Sequence, residues 1–357
     1  MKKTLEKTLL IATFAAFGLA GRAQVNYVQV AHDYSQMSTA AQVDKFIKTA
    51  NGAQYTPENR VIMLRHAMDL ATTDKQRRKI LKETGTTGTF QGLVFASQWL
   101  SSAPVKTEAA KAVLKIASAN KEYIGPGTRQ AISKAGAILG KSRQTSELLA
   151  STGGNGIVSL FNGKNLDGWK GLVENPITRA KMSPAEEAEK QLKADEIMRR
   201  DWNVKDGQIV YVGHGFENLC SKKKYGDFEL YLDWRLDPNG AEPDAGIYLR
   251  GTPQVQIWDT TRVNVGAQVG SGGLYNNAKN ESKPLQVADN KLGEWNSFHI
   301  IMRGEKVTVF LNGVKVVDNV TLENYWDRSQ KIFPVEQIEL QAHGSLTYFR
   351  DIYIKEL

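Results

Sequence analysis

An α-helical first half followed by an antiparallel β-sandwich or jelly roll, with one helical insertion, is the fold class this 357-residue sequence predicts. Three observations predict it. Over residues 35–148 the apolar side chains recur at spacings of three and four, the period of a helix that buries one stripe. From Ile157 onward the spacing changes to two, in short runs separated by turn dipeptides. The chain also carries 31 glycines, many of them in the second half, as a turn-rich β region requires.

Composition narrows the class further. With 41% hydrophobic and 24% charged residues, the chain is neither wholly disordered nor a polytopic membrane protein. The single cysteine, Cys220, excludes an intramolecular disulfide framework and a cysteine-based zinc cluster. The formal net charge is +8, of which Lys2, Lys3, Lys7 and Arg22 against Glu6 supply three units, leaving +5 scattered along the rest. One dense basic cluster, Lys222 to Lys224, lacks interleaved aromatics and precedes a strand, so it reads as a solvated hairpin tip and not as a nucleic-acid site.

The elements follow in order. Residues 1–23 read as a secretory signal peptide: a basic start, an apolar stretch from Leu9 to Ala20, and small residues at Gly21 and Ala23 before a cut at Gln24. The mature protein is therefore expected in the periplasm of a bacterium, or secreted, without a membrane anchor. No cysteine stands at the cleavage region, which argues against a lipoprotein. Residues 35–148 then predict helices of about ten to fifteen residues in antiparallel pairs, broken at Asn51-Gly52, Gly85 to Gly88, Ala103-Pro104 and Gly125-Pro126-Gly127. The pattern resembles a short array of armadillo- or HEAT-like repeats, and a plain helical bundle is the alternative. His32 and His66 stand isolated there, and this half offers no chemistry beyond a docking surface for a protein partner. Ser151 to Gly156 reads as a linker, so 157–357 is expected to fold on its own.

Within 157–357 the expected strands are Gln208–Val212, Asp227–Leu236, Ala245–Leu249, Gln254–Trp258, Ser297–Met302, Val307–Leu311, Gln337–Gln341 and Thr347–Ile354. Asp206-Gly207, Arg303-Gly304 and Asn312-Gly313 mark the turns. Ser183-Pro184 with Glu186 is a helix start, N-cap, proline and acid in sequence, opening a helix to Arg200.

Alternation sorts core from surface. Phe228, Leu230, Leu232, Trp234 and Leu236 point one way, and Glu229, Tyr231, Asp233 and Arg235 the other. Asp244, Gly246, Tyr248 and Arg250 face out, as do Gln254, Gln256 and Trp258, and Gln337, Glu339, Gln341 and His343. Amides, carboxylates, an arginine, a histidine and aromatics on one face suit sugars, because flat rings cover C–H faces and fixed amides bond hydroxyls. An ordinary wet sheet face is the alternative. Loops add His214, then Tyr275 and Asn277 after a glycine run, then the Tyr325-Trp326 pair. The glycine run lacks the ending of a phosphate loop.

A set of motifs in this half resembles the 3-keto-disaccharide hydrolase family. They are Leu160-Phe-Asn-Gly-Lys-Asn-Leu-Asp-Gly-Trp169, Tyr225-Gly-Asp-Phe-Glu-Leu230, Asp244-Ala-Gly-Ile-Tyr-Leu-Arg-Gly251 and Gln254-Val-Gln-Ile257. Gly293-Glu-Trp-Asn296, Leu311-Asn-Gly313, Leu340-Gln-Ala-His-Gly344 and Phe349-Arg-Asp-Ile352 continue them in family order across 157–357. The resemblance implies a concanavalin-A-like jelly roll that cleaves glycosides oxidised to a ketone at C3. Two positions depart from the pattern: Ala245 follows Asp244 where the family often has serine, and Gln254 stands where many members have glutamate.

A ketone at C3 acidifies the C2 proton. Removing it gives an enolate that expels the C1 substituent, and adding water back makes the net reaction a hydrolysis. That route needs a base near neutrality, a group for the enolate oxygen and an acid for the leaving group. His343 or His214 is the candidate base. Arg250 is the candidate for the enolate oxygen, and Asp244 or Asp233 orients the base or donates a proton. Gln256, Gln341, Tyr275, Asn277, Trp258 and Trp326 are candidate sugar contacts. No cofactor is assigned. A divalent metal at Asp244 or His343 is an alternative to Arg250, though the spacing carries no metal signature. The rival reading is a non-catalytic carbohydrate-binding sandwich, which needs no proton-transfer group.

Overall fold

The computed structural model describes residues 39–150 and 156–357; the expected leader, His32 and most of the linker lie outside the described residues. The first half is helical. It runs α1 (Val43–Ala50), α2 (Pro57–Leu70), α3 (Asp74–Thr84), α4 (Phe90–Ser97), α5 (Lys106–Ala119), α6 (Pro126–Leu139) and α7 (Ser142–Ala150). Starts are written locally: Thr56, Thr73 and Thr89 each accept a backbone N–H of the first turn of α2, α3 and α4. Gly140 ends α6 in the left-handed conformation. The apolar stripes meet in one core that includes Phe46, Leu64, Ile80, Leu93, Val113 and Ile132.

The second half is a two-sheet antiparallel sandwich. Its strands are β1 (Val158–Ser159), β2 (Trp169–Gly171), β3 (Trp202–Lys205), β4 (Gln208–Tyr211), β5 (Leu219–Ser221), β6 (Phe228–Leu236) and β7 (Asp244–Leu249). They continue as β8 (Thr252–Trp258), β9 (Asn296–Arg303), β10 (Lys306–Leu311), β11 (Val314–Thr321), β12 (Glu339–Leu340) and β13 (Thr347–Glu356). One sheet has eight strands, ordered β11-β10-β9-β6-β13-β4-β3 with β1 on β13; the other has five, ordered β2-β5-β12-β7-β8. Asp206-Gly207 and Asn312-Gly313 take positive φ at both residues, the hairpin turn that matches strand twist. The inward rows of both sheets interdigitate in a single core around Trp169, Trp202, Trp234, Phe228, Phe298 and Phe349.

A short helix, α8 (Pro176–Arg179), and an 18-residue one, α9 (Pro184–Asp201), intervene between β2 and β3. The Ser183–Glu186 pair closes a full capping box on α9, as its sequence predicts. The helix lies over edge strand β2, where Asp195 accepts from Gly171 N at 2.9 Å. Covering that edge removes a free row of backbone donors.

The helical half sits on the outer face of the eight-stranded sheet. Phe90 wedges between Tyr231 and Tyr353, with ring centroids 4.9 and 5.0 Å away. Arg65 pairs with Asp351 at 2.6 Å, Gln91 donates to Ser297 at 2.9 Å, and Asn290 donates to Asn59 at 2.9 Å. The sequence treats the halves as separable; the structure gives each its own core and joins them through this buried seam.

Candidate active site

Among the described residues no helix crosses the middle of the outer face of the five-stranded sheet. Register places its residues in rows. Glu339 lies opposite Cys220 on one side and Tyr248 on the other, Gly246 opposite Gln256, and Asp244 opposite Trp258. The chain beyond β12 stays alongside β7, where Gln341 N donates to Gly246 O at 2.9 Å. Alternation therefore brings Glu339, Gln341 and His343 to the same side as Gln254, Gln256, Asp244 and Trp258.

The floor of this face is polar and deeply set. Gln254, Gln256 and Glu339 are buried, although their side chains point away from the core. Gln256 donates to Asp244 at 2.7 Å and accepts from Gln254. Burial pushes the Asp244 carboxyl up, while the nearby His343 imidazole and the Gln256 bond pull it down. Arg262 stands 3.9 Å from Asp244 and 3.6 Å from Glu242, closing that corner. Among the described residues, Gln341 Oε1, His343 Nδ1 and Trp258 Nε1 are buried and meet no protein hydrogen-bond partner. Three such atoms on one face are costly unless something else is meant to bond them.

Glu339 is the residue that sequence reasoning missed. It is 1% exposed, and burial raises its carboxyl from 4.5 to about 7 against the opposing pull of Asn218 and Arg179. Asn218 donates to Glu339 Oε2 at 3.0 Å and accepts from Ala342 N at 3.1 Å, so it holds both the carboxyl and the strand that bears it. The alternation had already turned Glu339 outward. Its signal, the depth of the face beneath Tyr248 and Asn218, is tertiary and not written in any local pattern. Cys220, its cross-strand neighbour on β5, is fully buried, and burial pushes its thiol up to about 12.

Aromatic rings rim the floor. Phe216 meets His343 edge to face at 5.6 Å, and Tyr275 meets Trp258 at 5.0 Å. Phe216 and Tyr275 are exposed. The glycine run before Tyr275 is needed because it travels along β8: Gly272 N donates to Gln256 O, and a Cβ on Gly272, at φ +94°, would meet Val316 at 2.6 Å.

Several sequence-predicted site residues lie elsewhere. Arg250 is not with Gln256, Gln341 and His343. A register shift between Ile247 and Leu249 ends the alternation, and Arg250 takes φ +50° at the turn into β8. Its side chain is buried, donating to Pro334 O at 2.9 Å. Asp233 belongs to β6 and faces out from the other sheet, beneath the helical half, where Arg350 donates to it at 3.2 Å. Asn277 is a loop clamp, donating to Thr321 O at 2.7 Å and accepting from Glu323 N at 3.0 Å. Trp326 donates to Gly251 O at 2.7 Å, tying its loop to the β7–β8 turn and away from the floor. His214, by contrast, is exposed on the loop after β4 that also carries Phe216 against His343, and stands 3.9 Å from Asp201. Among the described residues no three of His, Cys, Asp and Glu gather to hold a metal ion.

Residues 156–355 match the 3-keto-alpha-glucoside-1,2-lyase-like domain, more than half of the chain, and the chain belongs to that family. A search of curated proteins finds no match. Two solved structures from Parabacteroides distasonis ATCC 8503, provisionally named glycosyl hydrolases, are similar. One is 22% identical over 56% of this chain and 94% of its own, with a TM-score of 0.41; the other is 24% identical over 57% and 100%, with a TM-score of 0.39. The carbohydrate-binding module CBM66 from Bacillus subtilis is 10% identical over 43% of this chain and 91% of its own, with a TM-score of 0.31. The sandwich is concanavalin-A-like, and membership of this family makes the protein carbohydrate-active.

Proposed function

We propose that this member of the 3-keto-alpha-glucoside-1,2-lyase-like family cleaves 3-keto-glucosides on the outer face of the five-stranded sheet. The C2 proton passes to a base and the C3 ketone becomes an enolate. The enolate re-forms the ketone as the C1–O bond breaks, and the aglycone oxygen takes a proton. Water then adds at C1 across the resulting double bond, and C2 regains a proton. The net change is hydrolysis.

The observation that carries this reading is Glu339. A buried carboxyl that keeps its proton to about pH 7 is an acid able to protonate a leaving group or an enolate oxygen near neutrality. His343, on the same face, is the candidate base, with Asp244 beside it. At strand spacing, the four residues of chain from Glu339 to His343, which run on beside β7 beyond β12, would separate their Cα atoms by about 13 Å, room for one sugar ring between the two side chains. Gln256 and Gln341 are placed to bond hydroxyls, and Trp258 with Tyr275 to cover a ring face. Arg250 and Asp233 have no part in this assignment. Export from the cytoplasm belongs to the same proposal and rests on the sequence of residues 1–23; N-terminal sequencing of the exported protein should begin near Gln24.

The test is incubation with matched glucosides and 3-ketoglucosides in heavy water. Turnover of the keto compounds alone, with deuterium entering C2, is the expected result. Binding without turnover would make the domain a sugar-binding module, and equal turnover of unoxidised glucosides would remove the elimination route.

A further inference from the structure

A second cavity lies between the two halves, on the other sheet. It comprises about 890 Å³ between α2, α4 and the outer face of β6 and β13, and a smaller pocket of about 230 Å³ that shares Arg65, Asp69, Arg235, Trp295 and Arg350 with it. The larger volume is that of a small-molecule site.

Its cations are not equivalent. Arg65 is used by Asp351 at 2.6 Å, and Arg350 by Asp233 at 3.2 Å. Arg235 is different. Among the described residues no carboxylate lies within ion-pair distance of it and no acceptor takes a hydrogen bond from it, and its Nε is buried without a partner. It is held by rings instead, with its guanidinium carbon 4.1 Å from the centroid of Tyr348 and 5.3 Å from that of Trp295. Trp295 in turn packs at 3.8 Å from Arg350, whose Nη2 also lacks a partner. Asp69 and Glu294 share the lining of the smaller pocket, and Asp69, Asp206 and Asp351 that of the larger; Asp351 is taken by Arg65, and burial pushes the Asp69 carboxyl up against the pull of Arg350, His66 and Arg65. A guanidinium packed against aromatic rings and free along its donor edge is pre-set for a planar two-oxygen acceptor.

We propose that this inter-domain cleft is a second ligand site, for a sugar-sized molecule bearing a carboxylate or phosphate, with Arg235 taking the oxyanion. Gln98, Gln208 and Ser102 on the cleft walls supply bonds for hydroxyls. The site is separate from the proposed cleavage face, which lies on the opposite sheet of the sandwich.

Calorimetric titration of the full chain with glucuronate, glucose 6-phosphate, inorganic phosphate and glucose tests this. One of the two anionic sugars should bind at least about tenfold more tightly than glucose, and Arg235→Gln should weaken it by about tenfold or more. Glucuronate and glucose 6-phosphate tell the two oxyanion sources apart. Tighter binding of inorganic phosphate than of either sugar would mean an adventitious ion only and would overturn the proposal. So would unaltered affinity in a folded Arg235→Gln protein, or failure of both sugars to exceed glucose. Turnover of a 3-ketoglucoside by that variant should match wild type. Hydrogen exchange on the unsubstituted protein reads the same site without a mutation: ligand should protect residues 233–236 and 293–296, and protection confined to 244–258 would count against the cleft.

Discussion

The two outer faces of the sandwich are built from the same kind of strand and end in opposite states. On the eight-stranded sheet, Tyr231, Asp233, Arg350 and Tyr353 turn outward and are covered by α2 and α4. There Asp233 pairs with Arg350 and Asp351 with Arg65, while Arg235 is held between aromatic rings. On the five-stranded sheet, Gln256, Glu339, Gln341 and His343 turn outward, and among the described residues the helical half does not pack on them. Alternation says which side chains leave the core. It does not say which outer face another domain will occupy, and that decides whether a polar row is a joint or a site.

The strongest way to break this comparison is to exchange one acid from each face. Glu339→Gln should lower kcat on a 3-ketoglucoside by about 10²–10⁴-fold and abolish the alkaline fall in activity near pH 7. Asp233→Asn should leave kcat near wild type. If both lose turnover alike, the covered face contributes to chemistry and the contrast fails.

Stability should show the reverse. Arg65→Ala leaves Asp351 without its partner in the seam and should cost about 3–5 kcal/mol, the usual penalty for breaking a buried pair, with KM and kcat unchanged in the folded fraction. Denaturant titration and steady-state rates on the same preparation read both. A loss below about 1 kcal/mol would mean that the pair behaves as if it were on the surface.

The same distinction sorts what could be read in advance. The strands, the Asn312-Gly313 turn and the Ser183 helix start were legible because their causes are local. Arg250 was misplaced because a bulge after Ile247 breaks period two, and nothing in Gly-Ile-Tyr-Leu-Arg announces a bulge. Asp233 was given to the site because its row reads like that of Gln256, and the covering helices are more than a hundred residues away in sequence. β2 and β5 were overlooked as strands of three residues each, too short to show alternation. Glu339 was turned outward correctly, yet its burial comes from Asn218, Tyr248 and the loops around them, and so its altered titration had no local sign.

That titration makes a prediction about folding as well as catalysis. The Glu339 pKa is raised in the folded protein, so its contribution to stability is fully present below about pH 4.5 and is lost as pH rises through about 7. The swing is about 3 kcal/mol for a shift of this size in a fully buried group. Glu339→Gln removes it. The variant should therefore be close to wild type at pH 4.5 and more stable by up to about 3 kcal/mol at pH 8, measured by urea unfolding. An acid retained at such a cost is expected of a working site. A variant that is less stable at both pH values would show that Asn218 and its neighbours already compensate the charge.

The smallest effect concerns the shape of the open floor. Gly246 lies between Gln256 and Gln341 with ordinary negative φ, so it is not there for backbone freedom. A Cβ at this position would stand 2.8 Å from Gln341 Oε1 and 3.0 Å from Gln254 Cδ. Both are ends of flexible side chains, so the fold can yield by moving the amides, at a cost of about 1 kcal/mol or less. What it cannot keep is the amide geometry that would meet a sugar hydroxyl. Gly246→Ala should therefore raise KM for a 3-ketoglucoside by about tenfold, the worth of one mispositioned hydrogen bond, while kcat falls little because Glu339 and His343 stay in place. A matched alanine at Gly304, an exposed turn with nothing within 4 Å of its Cβ, tests local turn strain and should leave KM alone. If Gly246→Ala binds substrate as well as wild type, the Gln341 amide is not a sugar contact and the site must lie nearer Tyr275 and Trp258.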